Sequence, residues 1–146
     1  MRFFFYGTLI AGSANPVAAR VHARLRDEGP ATARGSLHAI GEAEGWYPAM
    51  LAGAAPVHGR LYAVAPGFDE ADLAALDGWE DFAPADPAGS LYVRATIIVA
   101  DAEGTFHEAQ AYVFNAALPP GALAIPDGDF AAWITREGLR PYGALS

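Results

Sequence analysis

Glu80 is the first residue whose surroundings in the sequence point to chemistry. It lies between two large aromatic residues, Trp79 and Phe82, just after Gly78. Glycine is common just past a helix C-terminus, so Gly78 predicts the end of a short helix. Burial among aromatic rings and the negative end of the helix dipole would both raise the pKa of the Glu80 carboxyl, as a general base near neutral pH requires. The alternative is that Glu80 is exposed and only the aromatic residues pack.

A second candidate is the loop after the first predicted strand, whose residues are Tyr6, Gly7, Thr8 and Leu9. The aromatic run before it is typical of a strand, and Asn15 with Pro16 predicts a helix start. A loop between a strand and a helix start can point several backbone N–H groups at an anion such as a carboxylate or a phosphate. The alternative is that Gly7 only turns the chain.

Several other chemistries are disfavoured by what the sequence lacks. Gly7 and Gly12 have the spacing of a phosphate-binding P-loop, but residue 13 is Ser and the chain contains no lysine. There is no cysteine and no G-x-S-x-G motif, which disfavours thiol and serine nucleophiles. The four histidines fall in separate predicted elements, so we expect no metal site.

Composition restricts the class of protein further. The chain has 146 residues, 53% of them hydrophobic, which predicts a single domain over residues 1–146 with an ample core. The formal net charge of -8 disfavours nucleic-acid binding. No apolar stretch is long enough to span a membrane. The absence of cysteine fits a reducing compartment, and we expect a cytoplasmic protein.

The predicted elements indicate an α+β fold. Helices are predicted over residues 16–27, 70–77 and 127–137, with Gly29-Pro30 ending the first and Asp69 capping the second. After the strand at residues 2–6, further strands are predicted at residues 35–41, 56–64, 92–100 and 105–114, and residues 42–53 are predicted to be irregular. Gly59 within a strand indicates a bulge or a close approach by another group. The spacing favours a mixed or antiparallel sheet, either open or closed into a barrel. The tail from Gly138 is expected either to stay loose or to cover a pocket.

Six short motifs together resemble the gamma-glutamylcyclotransferase-like superfamily, in particular its AIG2-like branch of gamma-glutamylamine cyclotransferases. They are Tyr6-Gly7-Thr8-Leu9, Tyr47-Pro48-Ala49, the strand from Val57 to Tyr62, Leu76-Asp77 followed by Glu80, Tyr92 with Arg94, and Ala111-Tyr112-Val113-Phe114. Each motif is short, but they occur in the order that the family shows.

The resemblance implies a small β-barrel with flanking short helices and one pocket. Glu80 matches the catalytic glutamate of the family, and the loop of residues 6–9 would bind the glutamyl end of a small-molecule substrate. The implied reaction cyclises a gamma-glutamyl amine or peptide to 5-oxoproline and releases the amine, with no metal or other cofactor. Tyr92, Arg94 and Tyr112 would line or brace the pocket. The resemblance implies nothing about oligomeric state.

The residues also fit this chemistry by themselves, because a gamma-glutamyl group carries its own nucleophile, the α-amino group. A single carboxylate can take a proton from the ammonium and return it to the leaving nitrogen. Well-oriented intramolecular attack reaches effective molarities of roughly 10⁵ M or more. Two alternatives stay open at this point: a non-catalytic module that binds a small acidic metabolite, and an enzyme that removes a gamma-glutamyl group from a larger amine.

Overall fold

The computed structural model of the protein describes residues 1–7, Leu9 and residues 16–142. Thr8 therefore lies outside the described residues. The strands are β1 (Arg2–Phe5), β2 (Leu25–Glu42), β3 (Gly45–Val64), β4 (Tyr92–Asp101), β5 (Phe106–Phe114) and β6 (Leu123–Ala124). The helices are α1 (Pro16–His22), α2 (Glu70–Trp79) and α3 (Phe130–Glu137), with a 3-10 turn at Pro87–Gly89.

The sheet closes on itself and so forms a barrel. Its strand order is β3-β1-β5-β4-β2-β6, and β2 also pairs with β3. This last pairing joins the strands β1 to β5 into a ring, with β6 added at the edge of β2. The β1–β5 pairing is parallel and the other pairings are antiparallel, so the barrel is mixed. The α+β class with a small mixed barrel and flanking short helices is therefore confirmed.

The aromatic strand β1 supplies both hydrophobic clusters of the core, because successive side chains of a strand point to opposite faces. Phe4 belongs to a cluster that includes α3, while Phe3 and Phe5 belong to a cluster that includes α1 and α2. All three phenylalanines are buried. Their positions fix β1, and with it the loop that follows, between two packed layers.

The second and third strands are much longer than the sequence predicts. Residues 42–53 were predicted to be irregular, yet they lie mostly in β3, which pairs with β2 from Leu25–Val64 through Glu42–Gly45. The prediction failed because this segment has no alternation of apolar and polar residues, while pairing to a neighbouring strand outweighs its weak intrinsic preference. The consequence is a hairpin that brings Glu42 and Tyr47 close together at its turn end.

Helix α1 is shorter than predicted. It ends at His22 rather than near Asp27, and Gly29-Pro30 lies inside β2 instead of terminating the helix. Gly29 has a φ of 97° at a register irregularity between Asp27 and Gly29, so glycine serves a β-bulge here. Within the described residues, no helix is both long and apolar enough to cross a membrane.

The close approach predicted at Gly59 is confirmed. A Cβ atom added to Gly59 would lie 2.3 Å from the carbonyl oxygen of Phe5. A side chain at residue 59 would therefore push β3 away from β1, the strand that leads into the predicted substrate loop.

Candidate active site

A cavity of about 290 Å³ opens where β1 ends and α2 ends. Its described lining is Phe4, Phe5, Tyr6, Gly7, Leu9, Glu42, Tyr47, Pro48, Gly78, Trp79, Glu80, Asp81, Leu91, Tyr92, Tyr112 and Tyr142. This volume is close to the lower end of the range for small-molecule sites. Six of the eight residues singled out from the sequence meet here; of the other two, Arg94 is not part of the described lining and Thr8 lies outside the described residues.

The end of α2 positions Glu80 in the cavity wall. Glu80 caps the helix, and the backbone N–H of Asp81 donates to Gly78 O at 3.2 Å while that of Phe82 donates to Asp77 O at 2.9 Å. This pair of hydrogen bonds is the Schellman motif, which needs a left-handed residue at the position after the cap. Asp81 takes that conformation with a φ of 51°. The prediction that Gly78 occupies this position was wrong, because Gly78 lies inside the helix.

The pKa of Glu80 is raised, as its sequence context predicts. Burial raises it to about 8, and the neighbouring Asp81 carboxylate contributes in the same direction. Glu80 is of intermediate exposure because one side of it faces the cavity. A carboxyl that ionises near neutral pH at the wall of a cavity has the properties of a general acid–base group.

Three tyrosines with buried hydroxyl groups surround Glu80. Tyr6 donates to the backbone carbonyl of Tyr112, Tyr92 donates to Pro48 O at 2.5 Å, and the Tyr112 hydroxyl donates to Asp77 Oδ1 at 2.7 Å. Burial raises the pKa of each of the three phenols well above its usual value. The hydroxyls are therefore neutral, and because each already donates within the protein, each offers a bound molecule only its oxygen lone pairs. The Tyr6 oxygen also accepts from the Met50 N–H, so Tyr92 and Tyr112 are the more available acceptors.

Arg94 is held beside the cavity by Asp77. Its Nε lies 3.0 Å from Asp77 Oδ1, and its guanidinium stacks over the Phe82 ring at 5.7 Å. Asp77 is only 5% exposed, and its carboxylate accepts hydrogen bonds from both the Arg94 guanidinium and the Tyr112 hydroxyl. Arg94 is thus placed to brace α2 and β5 rather than to touch a molecule in the cavity.

The loop after β1 is packed tightly against β3. A Cβ atom added to Gly7 would lie 2.2 Å from Pro48 Cγ. Farther along the loop, the ring of His22 hydrogen-bonds the Leu9 carbonyl oxygen at 2.6 Å, so its Nε2 carries the proton. His22 also packs edge-on against Phe5 and Tyr62. The described part of the loop is therefore fixed by a strand on one side and a helix on the other.

We expect Gly7→Ala to impair both the site and the fold. The Pro48 ring is rigid and its carbonyl is held by Tyr92, so the added methyl group must displace the loop. Overpacking of this kind costs about 1–3 kcal/mol of unfolding free energy. Binding of a molecule that contacts the loop should weaken by roughly tenfold or more, since a misplacement of about 1 Å costs on the order of 10²-fold in rate.

Gly78→Ala is the control for stability alone, because Gly78 itself belongs to the described lining of the cavity. No atom lies within 4 Å of a Cβ at this helical position, so alanine should stabilise α2 by about 0.5–1 kcal/mol. Urea unfolding of both variants and ligand titration of Gly7→Ala against the unmodified protein make the measurement. Ligand binding by Gly7→Ala as tight as that of the unmodified protein would show that this close contact does not shape the site.

The outer part of the cavity contains residues that were not among the eight candidates from the sequence, although Tyr47 and Trp79 lie in motifs noted above. Its members, called here the outer rim, are Glu42, Tyr47, Trp79, Asp81 and Tyr142. Glu42 and Tyr142 come from a hairpin end and from the C-terminal tail, which are far apart in sequence, so no local motif marks them. The expectation that the tail covers a pocket is met at Tyr142, whose N–H donates to Trp46 O at 2.7 Å.

Comparison with known proteins places the chain in a family. Residues 3–132 match the family model for gamma-glutamyl cyclotransferase, AIG2-like. The match covers most of the chain, and the protein belongs to this family. No curated protein sequence matches the chain significantly.

Solved structures show the same fold. An AIG2-like protein from Mus musculus aligns with a TM-score of 0.60 at 22% identity, covering 99% of this chain and 87% of the mouse chain. A protein described as gamma-glutamyl cyclotransferase aligns with a TM-score of 0.58 at 15% identity, covering 100% and 91%. Escherichia coli YtfP aligns with a TM-score of 0.57 at 25% identity, covering 94% and 99%. The family and the fold are thus of the cyclotransferase type.

Proposed function

We propose that this member of the AIG2-like gamma-glutamyl cyclotransferase family converts a gamma-glutamyl amine or peptide into 5-oxoproline and the free amine, with Glu80 as the general acid–base. The observation that carries the proposal is the position of Glu80: a carboxyl whose pKa is raised to about 8 faces a cavity lined by the loop after β1. The family membership supports a cyclotransferase-type enzyme, and the cavity volume of about 290 Å³ suits a small substrate.

The reaction needs one proton carrier. The ionised Glu80 takes a proton from the substrate's α-ammonium, and the freed amine attacks the carbonyl carbon of the side-chain amide. The new bond joins the α-nitrogen to that carbon, and Glu80 returns its proton to the leaving nitrogen as the bond from the carbon to that nitrogen breaks. The α-nitrogen loses a second proton as it becomes the lactam N–H, and Glu80 passes this proton to the released amine, which departs as an ammonium. Atoms and charge balance without a metal, a thiol or a hydroxyl nucleophile.

Other predicted residues have supporting roles in this proposal. Backbone groups of the loop at residues 6–9 hold the α-carboxylate, with Thr8 assigned on sequence alone. The oxygens of Tyr92 and Tyr112 accept hydrogen bonds from the α-ammonium, because their own protons are already donated within the protein, and the third N–H of the ammonium faces Glu80. An ammonium fixed by neutral acceptors beside Glu80 is in position for proton transfer.

The test is product formation with a panel of gamma-glutamyl compounds. The purified protein is incubated with gamma-glutamyl amino acids, gamma-glutamyl amines and glutathione, and 5-oxoproline is measured by chromatography. Release of 5-oxoproline from at least one of them supports the proposal. Ligand-induced thermal stabilisation without any product would instead indicate a binding module on the same fold.

We expect kcat/KM to rise with pH through about 8. The free enzyme must hold Glu80 in its ionised form to accept a proton, and that form becomes populated only as the pH passes the raised pKa. In the complex the substrate's ammonium lies beside the carboxylate and lowers its pKa, so the rising limb of kcat should lie at lower pH than that of kcat/KM. Initial rates between about pH 5.5 and about pH 9.5, a range of roughly four units that includes this pKa, would show the rising limbs of both kcat and kcat/KM. A kcat/KM that is flat over this range would contradict the assignment.

The same pKa predicts the pH dependence of stability with a definite sign. Between the ordinary pKa of 4.5 and about 8, the folded protein keeps the Glu80 proton while the unfolded chain releases it. The stability contributed by the protonated carboxyl is therefore present below pH 4.5 and is lost as the pH rises to about 8. Relative to Glu80→Gln, the wild-type protein should lose on the order of a few kcal/mol of unfolding free energy over this range. If the unfolding free energy of the wild-type protein and that of Glu80→Gln change equally with pH, the pKa of Glu80 is not raised in the folded protein.

A further inference from the structure

The cavity is electrostatically one-sided. Its described lining contains three carboxyl groups, from Glu42, Glu80 and Asp81, and within that described lining no Arg, Lys or His is present. Glu80 has a place in the reaction, whereas Glu42 and Asp81 lie on the outer rim and are both exposed. A substrate bound through the loop after β1 with its amide at Glu80 would direct its leaving group toward this rim.

The rim combines its negative charge with aromatic faces. Tyr142 lies between the Tyr47 and Trp79 rings, with ring centroids 5.6 Å and 5.9 Å away. The Tyr47 hydroxyl donates to Glu42 Oε1 at 3.2 Å, which fixes that carboxylate beside the aromatic group. Burial raises the pKa of Tyr47 to about 12, with Glu42 and Asp81 contributing in the same direction, so both carboxylates act on this ring. Aromatic faces next to carboxylates form a favourable environment for an ammonium group.

We propose that the outer rim selects leaving groups that carry a positive charge and no carboxylate, so that the preferred substrate is a gamma-glutamyl amide of a diamine or polyamine. This inference rests on the proposed function. An ammonium at the far end of the leaving group gains from the aromatic faces of Tyr47, Trp79 and Tyr142 and from Glu42 and Asp81. An amino-acid leaving group places a carboxylate among these acids and is disfavoured by like-charge repulsion.

The test compares three gamma-glutamyl amides of equal chain length and different charge. They are the amides of 1,4-diaminobutane, of butylamine and of 4-aminobutyrate, whose leaving groups are cationic, neutral and anionic. We expect kcat/KM for the cationic amide to exceed that of the neutral amide by about tenfold and that of the anionic amide by about a hundredfold at low ionic strength. Added salt should reduce both ratios.

Variants at the rim locate the effect. Glu42→Gln should lower kcat/KM for the cationic amide more than for the neutral one, reducing their ratio by roughly threefold or more. Glu103→Gln is the matched control, because Glu103 is an exposed acid in the turn between β4 and β5, outside the described lining of the cavity. It should leave both ratios unchanged.

The outcomes separate this inference from the proposed function. Cyclisation of all three amides at equal rates, or fastest cyclisation of the anionic amide, overturns rim selection and leaves the proposed function in place. Gamma-glutamyl-alanine is assayed as a fourth compound. If it is cyclised and none of the three amides is, rim selection is again overturned while the proposed function stays in place. If none of the four compounds yields 5-oxoproline, the proposed function fails and rim selection fails with it.

Discussion

Glu80→Gln is expected to lower kcat by about 10²–10⁴-fold while leaving the protein folded and able to bind substrate. Glutamine keeps the size and polarity of the side chain at the end of α2, but it can neither accept the proton of the α-ammonium nor deliver one to the leaving nitrogen. The Schellman motif that positions this residue uses backbone groups, so it survives the substitution. The loss should therefore fall on kcat, with little change in the dissociation constant of a substrate.

The measurement pairs a turnover assay with a binding assay. Formation of 5-oxoproline is followed for the wild-type protein, for Glu80→Gln and for Glu108→Gln, a matched change at an exposed acid on β5 outside the described lining. Thermal stabilisation by the substrate is measured on the same three proteins. Turnover of Glu80→Gln at the wild-type rate would show that Glu80 is not the general acid–base of the reaction.

The sequence predicted the candidate site because local patterns encode the elements that carry its residues. The aromatic run of β1, the loop at its end and the capping residue Asp69 each follow from short-range preferences. The Asp69 carboxylate accepts from the Asp72 N–H at 3.0 Å, and the Asp72 carboxylate accepts from the Asp69 N–H at 3.1 Å. This reciprocal capping box fixes the start of α2. From that start the helix runs to Glu80.

The sequence predicted the extent of β2 and β3 poorly, for a physical reason. The segment from Leu25 to Pro30 is charged and contains glycine and proline, which usually end elements. In the structure it forms the start of β2, where most of its side chains are exposed and its backbone pairs with β3. Pairing with a distant strand outweighs a local breaker signal, and one-dimensional patterns do not contain that pairing.

The outer rim and the role of Arg94 depend on the same kind of long-range information. Alternation along β4 leaves open whether Arg94 faces a cavity or a neighbour, and only the packing of α2 against the barrel shows its partner, Asp77. The position of Asp81 could not be predicted from the sequence either, because an aspartate in the left-handed region has no strong sequence signature. Asp81 adopts the left-handed conformation where α2 ends, and the Leu91 N–H donates to its carbonyl oxygen at 3.1 Å.

Asp77→Ala is expected to cause the largest loss of stability among the substitutions considered. The carboxylate is 5% exposed and receives the Arg94 guanidinium at 3.0 Å and the Tyr112 hydroxyl at 2.7 Å. Removing it leaves a partly buried cation and a buried hydroxyl without their partner, because the remaining contact of Arg94 to Gln110 is long at 3.4 Å. Breaking such a pair costs about 3–5 kcal/mol. Urea unfolding measures the loss.

A control and a conservative variant make this prediction specific. Arg136→Ala removes an ion pair with Asp127 whose side chains are 55% and 52% exposed, and it should cost no more than about 1 kcal/mol. Asp77→Asn keeps an oxygen that can accept from Tyr112 but loses the charge that holds Arg94, so its loss should lie between those of the other two variants. A cost below about 1 kcal/mol for Asp77→Ala would show that the pair does not stabilise the fold.

The same network separates two roles for Arg94. If Arg94 braces the site through Asp77, the effects of Arg94→Ala and Asp77→Ala on unfolding free energy are strongly non-additive, since each removes the same interaction. Both variants should then also lower kcat, because the C-terminus of α2, which carries Glu80, loses its tie to β4 and β5. If Arg94 instead contacts substrate, Arg94→Ala raises KM with little change in stability and the two substitutions act independently. The buried contact with Asp77 leads us to expect the first result, in which Arg94 acts on the reaction through the position of Glu80.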